Sequence, residues 1–343
     1  MDSLVSVVVV NHNRAELLRE CLLSLIGQTY QNLEILVVDN GSSDHSRSVV
    51  SSCSNARIRL FPLEHNVGFA AGNNIAIQQA KGKFICLLNN DAVAHSKWIE
   101  QLMKVVRSSG PRVGMFASKI LFFKNGIIDK AGHVMYLDGQ NRGRGTGERD
   151  RGQYERVEET LFPDGCAALY RKQMLDETGG FDETFFAYGD DADLGIRCRW
   201  MGWECLYIPD AIVYHRHSST VGRFSAKKIY WVERNRFWLV VKNFPIPLLL
   251  ISPIFTLNRW SWHLLAALLR RGAVGNFRRE GSLIQLVVVL QRAYRDGFSR
   301  FWEMLQKRQR IRETRRIRDR DFYRLLLRFR LSARALAFRE TKF

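Results

Sequence analysis

Three acidic residues within four positions are the first candidates for chemistry in this sequence. Asp190, Asp191 and Asp193 lie in "GDDADLGIR", where a helix is predicted to begin. Acids in a first helical turn can cap free N–H groups and complement the helix dipole. Crowded carboxylates also raise one another's pKa, which suits a general base that works near neutral pH. The residues alone leave both roles open, a capping cluster and a catalytic base.

Asp91 and His215 each follow an apolar run. Asp91 comes after "KFICLLNN", and His215 ends "AIVYH". Taken singly, an acid at a strand end usually turns the chain, and a lone histidine usually has a structural partner. Brought together, the two side chains could bind a divalent cation. Asp39 and Asp44, in "VVDNGSSD", could likewise form an Asx turn or hydrogen-bond a nucleobase and a ribose.

The N-terminal part of the chain alternates between predicted strands and helices. Four apolar runs are typical of buried strands: "LVSVVVV", "LEILVV", "ARIRLFPL" and "KFICLL". Segments with helical spacing lie between them, and the first places Leu18, Leu22 and Leu25 on one face. This alternation predicts an α/β domain with a parallel sheet.

Polar residues stand at or shortly after the end of each predicted strand, namely Asn11, Asp39, Asn66 and Asp91. Ligands of open parallel sheets bind outside the carboxyl ends of the strands, so we expect these residues to line one rim. No GxGxxG loop follows the first strand, which disfavours a dinucleotide-dependent dehydrogenase.

The second half of the chain gives a less regular pattern. The stretch 138–153, "DGQNRGRGTGERDRGQ", is polar and could be a solvated mobile loop or a lid over a charged ligand. A helix is predicted over about 190–201, with Gly202 as its C-cap. Two short strands, "WECLYI" and "AIVYH", are predicted to follow.

The net charge of +18 is concentrated in the C-terminal third. Residues 242–343 contain 23 Lys and Arg against 7 Asp and Glu, whereas residues 1–241 carry only +2. This predicts a polyanionic partner, either anionic lipid or nucleic acid. The apolar region 248–290 favours lipid. Its stretch 248–271 is long enough to span a bilayer, but Pro253, Asn258, Arg259 and His263 interrupt it. Helices that lie on the membrane, with Trp260 and Trp262 as anchors, are therefore favoured over a span. The arginine-rich remainder could be an amphipathic helix on anionic lipid or a solvated charged helix.

The six cysteines show no CxxC pair and no zinc-site spacing, so we expect buried free thiols in a reducing compartment. The N-terminus, "MDSLVSVVVVN", lacks the positive segment of a signal peptide, so secretion is not expected.

The chain resembles the inverting, nucleotide-sugar-dependent glycosyltransferases of family 2, particularly its rhamnosyltransferase-like members. Six segments carry the resemblance in order: "VVVVNHNR", "VVDNGSSD", "NVGFAAGNN", "LLNNDA", "GGFDETFFAYGDDADLGIR" and "VYHRHSS". It implies a GT-A fold, a mostly parallel central sheet flanked by helices. We expect this domain over 1–241, with a nucleotide-sugar-binding half (1–109), an acceptor and catalytic half (110–241) and a basic, membrane-associating helical tail (242–343).

The resemblance also assigns roles to single residues. "NNDA" matches the family's metal-binding DxD motif, with an asparagine in place of the first acid, so Asp91 and His215 are expected to hold Mn²⁺ or Mg²⁺. His217 is the less favoured ligand. "GDDAD" matches the acidic motif that supplies the base, which is expected at Asp191, with Asp190 as the alternative. The implied substrate-binding residues are Asn13, Asp39, Asp44, Asn66, Gly68, Asn74, Asn90 and Asp193.

The implied reaction moves a sugar from dTDP-rhamnose or a UDP-sugar to a glycan or polyprenyl-linked acceptor. It belongs to cell-surface polysaccharide biosynthesis and is expected at the cytoplasmic face of the cell membrane, with an anionic membrane surface favoured over nucleic acid as the partner of the tail. Two alternatives remain open. A sugar nucleotidyltransferase would need a glycine-rich loop after the first strand, and a basic-tailed binding protein without catalysis would leave the acidic cluster and His215 unused.

Overall fold

The computed structural model describes residues 2–123, 125–217, 225–269, 271 and 283–338. The chain forms two compact units. The first combines Met1–His133, Gly143–Cys198 and Trp203–Ser218, and the second combines Val134–Arg142, Arg199–Gly202 and Ser219–Phe343.

The N-terminal part of the first unit alternates between strands and helices. Its elements are β1 (Val5–Asn11), α1 (Ala15–Ile26), β2 (Leu33–Asn40), α2 (Ser46–Ser52), β3 (Ile58–Leu63), α3 (Phe69–Gln79) and β4 (Phe84–Leu88). β1 pairs in parallel with β2 and β4, and β2 pairs in parallel with β3. The predicted α/β class is therefore confirmed, as is the parallel sheet in this half.

Burial on both faces explains why five of the seven residues of β1 are valine. Val5, Val7 and Val9 join the core that contains the buried face of α1. Val8 is also buried, on the other face of the strand because successive side chains alternate. A strand covered on both sides needs no polar positions, which is why these residues do not alternate with polar ones.

The remaining strands make the central sheet mixed. They are β5 (Ala92–Ala94), β6 (Val113–Phe122), β7 (Ile128–Ala131), β10 (Glu158–Glu159), β11 (Ala167–Arg171) and β12 (Glu204–His215), while β8 (His133–Met135) and β9 (Asn141–Gly143) pair separately. The order is β10-β12-β6-β11-β4-β1-β2-β3, with β5 beside β12 and β7 beside β6. β11 is antiparallel to both neighbours, and β12 is parallel to β6. The helices of this part are α4 (Trp98–Ser108), α5 (Lys172–Thr178) and α6 (Asp190–Trp200), with a 3₁₀ turn at Glu183–Phe185.

The prediction of two short strands after α6 is wrong. β12 is one strand of 12 residues. Its pairing with β6 shifts register between Ile208 and Ile212. Pro209 has no N–H to donate to a ladder, and the irregularity accommodates it without ending the strand. The predicted cap of α6 is observed, since Gly202 has a φ of +80°.

The stretch 138–153 is not the solvated loop that its composition suggested. It contains β9, and Asp138, Gly143 and Gly145 are buried. The Arg144 guanidinium stacks on Tyr154 and donates to the carbonyl oxygen of Ala131 at 2.9 Å. The partners of these polar residues lie elsewhere in the chain, so local composition did not reveal them. The idea of a lid stays a prediction.

All six cysteines are free thiols, and all except Cys53 are buried, as predicted.

The second unit is helical. Its helices are α7 (Ala226–Asn243), α8 (Ile246–Leu268), α9 (Leu283–Ser299), α10 (Phe301–Thr314), α11 (Asp319–Arg328) and α12 (Ala333–Phe338). The arginine-rich segment, considered above as one amphipathic helix, is divided into three, and Phe322 of α11 stacks on Trp200 at a centroid distance of 4.3 Å. None of the described helices has both the length and the apolar character needed to cross a bilayer. The predicted domain boundary after residue 241 stays a prediction; it falls within α7.

A buried ion-pair network forms the polar centre of the second unit. Arg259 donates to both carboxylate oxygens of Glu233 at 2.9 Å and to Asp138 at 2.7 Å. Arg236 adds a bond of 3.1 Å to Glu233. Burial opposes the charge of Glu233, but Arg259 and Arg236 lower the pKa of Glu233 to about 2. The single charged residue of α8 is therefore directed into the unit.

Candidate active site

Asp91 and His215 lie side by side although they are far apart in the sequence. β4 leads into Asp91, and the short strand β5 places Ala92 opposite His215 at the end of β12. The Nε2 atom of His215 lies 3.2 Å from Oδ1 of Asp91. The backbone N–H of Arg216 donates to the carbonyl oxygen of Asp91 at 3.0 Å, which holds the two strand ends together.

Asp129 of β7, which the sequence analysis did not single out, contacts the other side of the His215 ring. Nδ1 of His215 lies 2.9 Å from Oδ2 of Asp129, and Nε2 of His217 lies 2.8 Å from the same oxygen. Burial opposes protonation, but neighbouring Cys166, Asp129 and Asp91 raise the pKa of His215 above its usual value. A carboxylate on one ring nitrogen directs the other towards Asp91, as it does in metal-binding histidines.

The Asp91–His215 pair has the chemistry and spacing of a divalent-cation site. A carboxylate oxygen and an imidazole nitrogen both suit Mn²⁺. Two ligand atoms that bind one cation at about 2.1–2.2 Å and at a right angle lie roughly 3 Å apart. The observed separation of 3.2 Å is close to this value. These two residues therefore fit the metal-binding role that the resemblance implied.

A second group of possible ligands, His133, Asp164 and Asp191, already contains a cation in the form of Lys130. The Nζ atom of Lys130 lies 2.6 Å from Oδ2 of Asp164, and Nε2 of His133 lies 2.9 Å from the same oxygen. Burial would raise the pKa of Asp164, but Lys130 and His133 hold the pKa of Asp164 below its usual range. The ammonium group supplies the positive charge that a metal ion would bring.

Asp190 and Asp191 open α6 in different surroundings. Asp190 is buried, and no described residue hydrogen-bonds its Oδ2 atom. Burial and the neighbouring Asp191 carboxylate raise the pKa of Asp190 well above its usual range. Asp191 is less buried and accepts the N–H groups of Gly165 at 3.3 Å and Ala192 at 2.8 Å. Burial and the Asp164 carboxylate raise the pKa of Asp191. Raised carboxyl pKa values suit a general base, and Asp191 is the more accessible of the two.

Asp193, the third acid, is a structural residue in this geometry. It is fully buried and accepts from Nε of Arg197 at 2.8 Å, one helical turn later. Arg197 also donates to the carbonyl oxygens of Thr178 and Gly180 at 2.7 Å. The pair ties α6 to the chain that follows α5. A substrate contact of Asp193 stays a prediction.

Three predicted donor-binding residues lie at the carboxyl ends of β1 and β2. Asn13 has a φ of +61° and accepts from the N–H of Ser43 at 2.9 Å. Asp39 is buried, with Oδ2 held by Arg47 at 2.5 Å and with Oδ1 lacking a partner among the described residues. Asp44 accepts the first free N–H groups of α1 at 3.1 Å and of α2 at 3.0 Å. Asp39 thus retains an unpaired acceptor, whereas both oxygens of Asp44 bond to helix starts.

Asn66 and Gly68 surround the start of α3. Asn66 accepts from Asn40 at 3.1 Å and from the N–H of Gly68 at 2.9 Å. Gly68 has a φ of +91°, and a Cβ atom there would lie 2.6 Å from the ring and from the carbonyl oxygen of Phe186. That carbonyl accepts the N–H of Phe69 at 2.6 Å. The first turn of α3 is therefore covered by the loop that leads to α6, and Gly68 makes room for this loop.

Asn74 and Asn90 connect parts of the site to one another. Asn74 donates to the carbonyl oxygen of Phe181 and accepts its N–H, both at 2.9 Å. Asn90 donates to Asn11 at 2.7 Å, which links the ends of β4 and β1. In this geometry Asn74 joins α3 to the segment before α6, and contacts of either side chain with a donor stay predictions.

Sequence reasoning missed Asp129, Lys130, His133 and Asp164. The first three occur in "IIDKAGH" and the fourth in "FPDGC". The available signal was the presence of charged residues in otherwise apolar surroundings, since buried charges need partners. Nothing local indicates which partners they have; Asp129, for example, reaches His215 through the pairing of β7 with β6 and of β6 with β12.

A mixed sheet with acidic residues at the carboxyl ends of its parallel strands is the arrangement of GT-A glycosyltransferases. The chain belongs to the glycosyl transferase family 2, whose family model matches residues 6–179. The match includes Asp39 and Asp91, while Asp191 and His215 lie beyond it.

Two curated relatives are similar to most of this chain. It is 28% identical over 253 residues to the O-antigen biosynthesis protein RfbC of Myxococcus xanthus, which is 70% of this chain and 20% of that protein. It is 26% identical over 227 residues to the pre-mycofactocin glycosyltransferase of Mycobacterium tuberculosis, which is 66% of this chain and 46% of that protein. The chain spans less than half the length of either relative.

Two solved glycosyltransferases share the fold. GalNAc-T7, solved with UDP, GalNAc and Mn²⁺, gives a TM-score of 0.58 at 18% identity over 70% of this chain and 48% of that chain. The mannosyltransferase PcManGT from Pyrobaculum calidifontis, solved with GDP-Man and Mn²⁺, gives a TM-score of 0.51 at 20% identity. The match covers 90% of this chain and 84% of that chain. The predicted GT-A fold is confirmed.

Proposed function

We propose that this protein transfers a sugar from a nucleotide-diphosphate donor to an acceptor hydroxyl by a metal-dependent, inverting single displacement. Such a reaction needs one base for the acceptor and positive charge for the departing diphosphate. One observation supports the proposal most directly. The turn at residues 164–166 hydrogen-bonds both to Asp191 and to the chain that leads into Asp91 of the Asp91–His215 pair.

The turn has a contact on each side. The N–H of Gly165 donates to Asp191 at 3.3 Å. The carbonyl oxygen of Cys166 accepts the N–H of Asn89 at 2.9 Å, two residues before Asp91. A base and a cation site built around one short turn can act on the same substrate.

Asp91 and His215 would hold Mn²⁺ or Mg²⁺, and such an ion, when bound, neutralises the charge of the donor diphosphate. Mn²⁺ accompanies the nucleotide or nucleotide sugar in GalNAc-T7 and PcManGT, which supports this part of the proposal. Asp129 would orient the His215 ring through Nδ1.

Asp191 would take the proton of the acceptor hydroxyl. The hydroxyl oxygen attacks the anomeric carbon from the face opposite the diphosphate, a new C–O bond forms, and the bond to the diphosphate oxygen breaks with inversion. Burial and the neighbouring Asp191 carboxylate raise the pKa of Asp190 well above its usual range. We assign the role of base to Asp191 because it is the more accessible of the two carboxyl groups.

Lys130 and His133 would be positioning residues. They hold Asp164, and the other oxygen of Asp164 accepts the N–H of Cys166 at 2.9 Å. This carboxylate therefore fixes the shape of the turn whose Gly165 N–H orients the base. The ammonium of Lys130 also lies 4.0 Å from Asp129, so it reaches towards the cation side.

The donor would be dTDP-rhamnose or a UDP-sugar, and the acceptor a glycan or a polyprenyl-linked glycan of a cell-surface polysaccharide. The name of the relative RfbC, an O-antigen biosynthesis protein, supports this acceptor class. We place the reaction at the cytoplasmic face of the cell membrane because of the basic C-terminal third.

The test is the release of nucleoside diphosphate from a panel of sugar nucleotides, with and without EDTA and with Mn²⁺ restored. The proposal predicts release with one class of donor, loss with EDTA and recovery with Mn²⁺. The absence of release from every donor would contradict the proposed transfer. Release that is unchanged by EDTA would contradict the metal dependence.

Calorimetric titration with Mn²⁺ locates the ion. Asp91→Asn should lose the binding seen for the wild type, and Asp210→Asn, an exposed acid of β12, should keep it. Equal binding by the two variants would contradict the assignment of Asp91.

A further inference from the structure

We propose that the outward face of α8 rests on an anionic membrane surface. This aliphatic face consists of Leu250, Ile254, Leu257, Leu264 and Leu268. The inference does not depend on the reaction proposed above, because it concerns the second unit alone.

The aliphatic face forms a continuous stripe. Its five members are between 59% and 71% exposed. They recur at intervals of three, four and seven residues, which places them on one side of a helix. At 1.5 Å per residue, the 23 residues of α8 extend over roughly 34 Å. Among the described residues, eight of the seventeen exposed large apolar side chains lie in this helix.

The opposite side of α8 shows that the helix has a fixed orientation. Ala266 and Ala267 are buried, and Arg259 is buried in its ion pairs with Glu233 and Asp138. Because Arg259 is the only charged residue of α8, the outward side carries no charge at all. Rotating α8 to bury the leucines would place them against the charged side chains of the network.

This geometry revises the anchors expected from the sequence. Trp260 and Trp262 are only partly exposed; Trp260 lies beneath the Arg259 guanidinium, and Trp262 packs against Phe338. In the arginine-rich segment Phe322 is buried, whereas Trp302 and Leu327 are exposed and lie on two different helices. Among the described helices, α8 has the most exposed large apolar side chains, so we take its aliphatic face as the surface available to lipid.

The segment 270–282, which follows α8 in the sequence, contains four arginines and only three apolar residues larger than glycine, Ala273, Val274 and Phe277. By composition, it offers less apolar surface than five large aliphatic side chains would bury.

The positive charge of the C-terminal third favours an anionic membrane as the partner of this face. Residues 242–343 carry 23 Lys and Arg against 7 Asp and Glu. Two copies of this chain would bring like charges together, whereas an anionic bilayer offers both an apolar layer and opposite charge. Nucleic acid would match the arginines but not an uncharged aliphatic stripe. Exposed Arg292 and Arg295 of α9 follow the exposed Val287 and Val288, which repeats the pattern of apolar residues beside cations.

The experiment is co-sedimentation of the full chain with vesicles of phosphatidylcholine containing about 30% phosphatidylglycerol, and with phosphatidylcholine alone. The variant Leu250→Gln/Leu257→Gln/Leu264→Gln removes apolar surface from the aliphatic face. Its control, Leu23→Gln/Val157→Gln, changes residues of the first unit that are 56% and 48% exposed. Circular dichroism and thermal unfolding verify that both variants fold.

The wild type and the control should bind the anionic vesicles equally, and the α8 variant should bind at least about ten-fold more weakly. Removing the anionic lipid should also weaken wild-type binding by about ten-fold or more. Equal binding by the α8 variant and the wild type would overturn the proposal. So would a wild-type dimer in sedimentation equilibrium that the α8 variant abolishes while vesicles bind neither protein.

Discussion

The substitution Gly68→Ala tests how the site is assembled. A Cβ atom at this position would lie 2.6 Å from the Phe186 ring and 2.6 Å from its carbonyl oxygen. That oxygen accepts the N–H of Phe69 at 2.6 Å, so the loop cannot move away without releasing the start of α3. The residue also has a φ of +91°, which alanine adopts at a cost.

The expected cost follows from these two effects. A positive φ costs an alanine about 1 kcal/mol. Insertion of a methyl group against fixed neighbours adds about 1–3 kcal/mol. We therefore expect Gly68→Ala to lower the free energy of unfolding by roughly 2–4 kcal/mol. Gly179→Ala is the matched control, because its φ is +76° and a Cβ atom there would meet nothing within 4 Å. It should cost only about 1 kcal/mol.

Urea denaturation of the two variants measures the difference in their free energies of unfolding. Donor affinity, measured on the same variants, shows whether Gly68 also contacts the donor. If Gly68 makes room for the loop before α6, then Gly68→Ala is the less stable variant, and turnover falls because the loop carries Asp190 and Asp191. Equal stability of the two alanine variants, together with a loss of donor affinity only in Gly68→Ala, would refute this reasoning. That result would support the donor contact implied by the family resemblance.

Two further predictions concern buried charges. Asp190→Asn should raise the free energy of unfolding at about pH 8 and not at about pH 3, as measured by denaturation at both. Burial raises the pKa of Asp190, so the stability that this carboxyl contributes below its unfolded pKa is lost as the pH rises through the folded value. Arg259→Met should cost about 3–5 kcal/mol because it leaves Glu233 without its bidentate partner. Arg292→Met, at an exposed position, should change the free energy of unfolding by no more than about 0.5 kcal/mol. A similar loss of stability in both variants would contradict the role of the network.

The sequence was most informative where local composition decides structure. β1, β2 and β4 are buried on both faces, so most of their residues are apolar and the strands could be predicted from composition. Asp91 was found for the same reason, since it is the first acid after such a run. The helix at 190–201 was also predictable because its apolar face and its terminal glycine lie close together in the sequence.

The contacts that define the site depend on pairing between distant segments. Asp129 reaches His215 because β7 pairs with β6 and β6 pairs with β12. Short stretches of sequence do not show which distant strands pair or in which register they do so. For the same reason Asp138, in a polar and glycine-rich stretch, was expected in solvent, although it is buried against Arg259.

Some implied donor residues have structural tasks that the motif did not reveal. Asp44 bonds to the first N–H groups of two helices, and Asn74 to the backbone of Phe181. Amide and carboxylate side chains serve equally well as caps and as ligands, so a motif alone cannot separate the two uses.

The most direct test of the account is the turnover of Asp191→Asn, with donor affinity measured on the same preparation. Asparagine keeps the size of the side chain and cannot accept the acceptor's proton. We expect turnover to fall by about 10²–10⁴-fold while the donor dissociation constant in Mn²⁺ changes by less than about two-fold. Turnover within about ten-fold of the wild type would show that Asp191 is not the base.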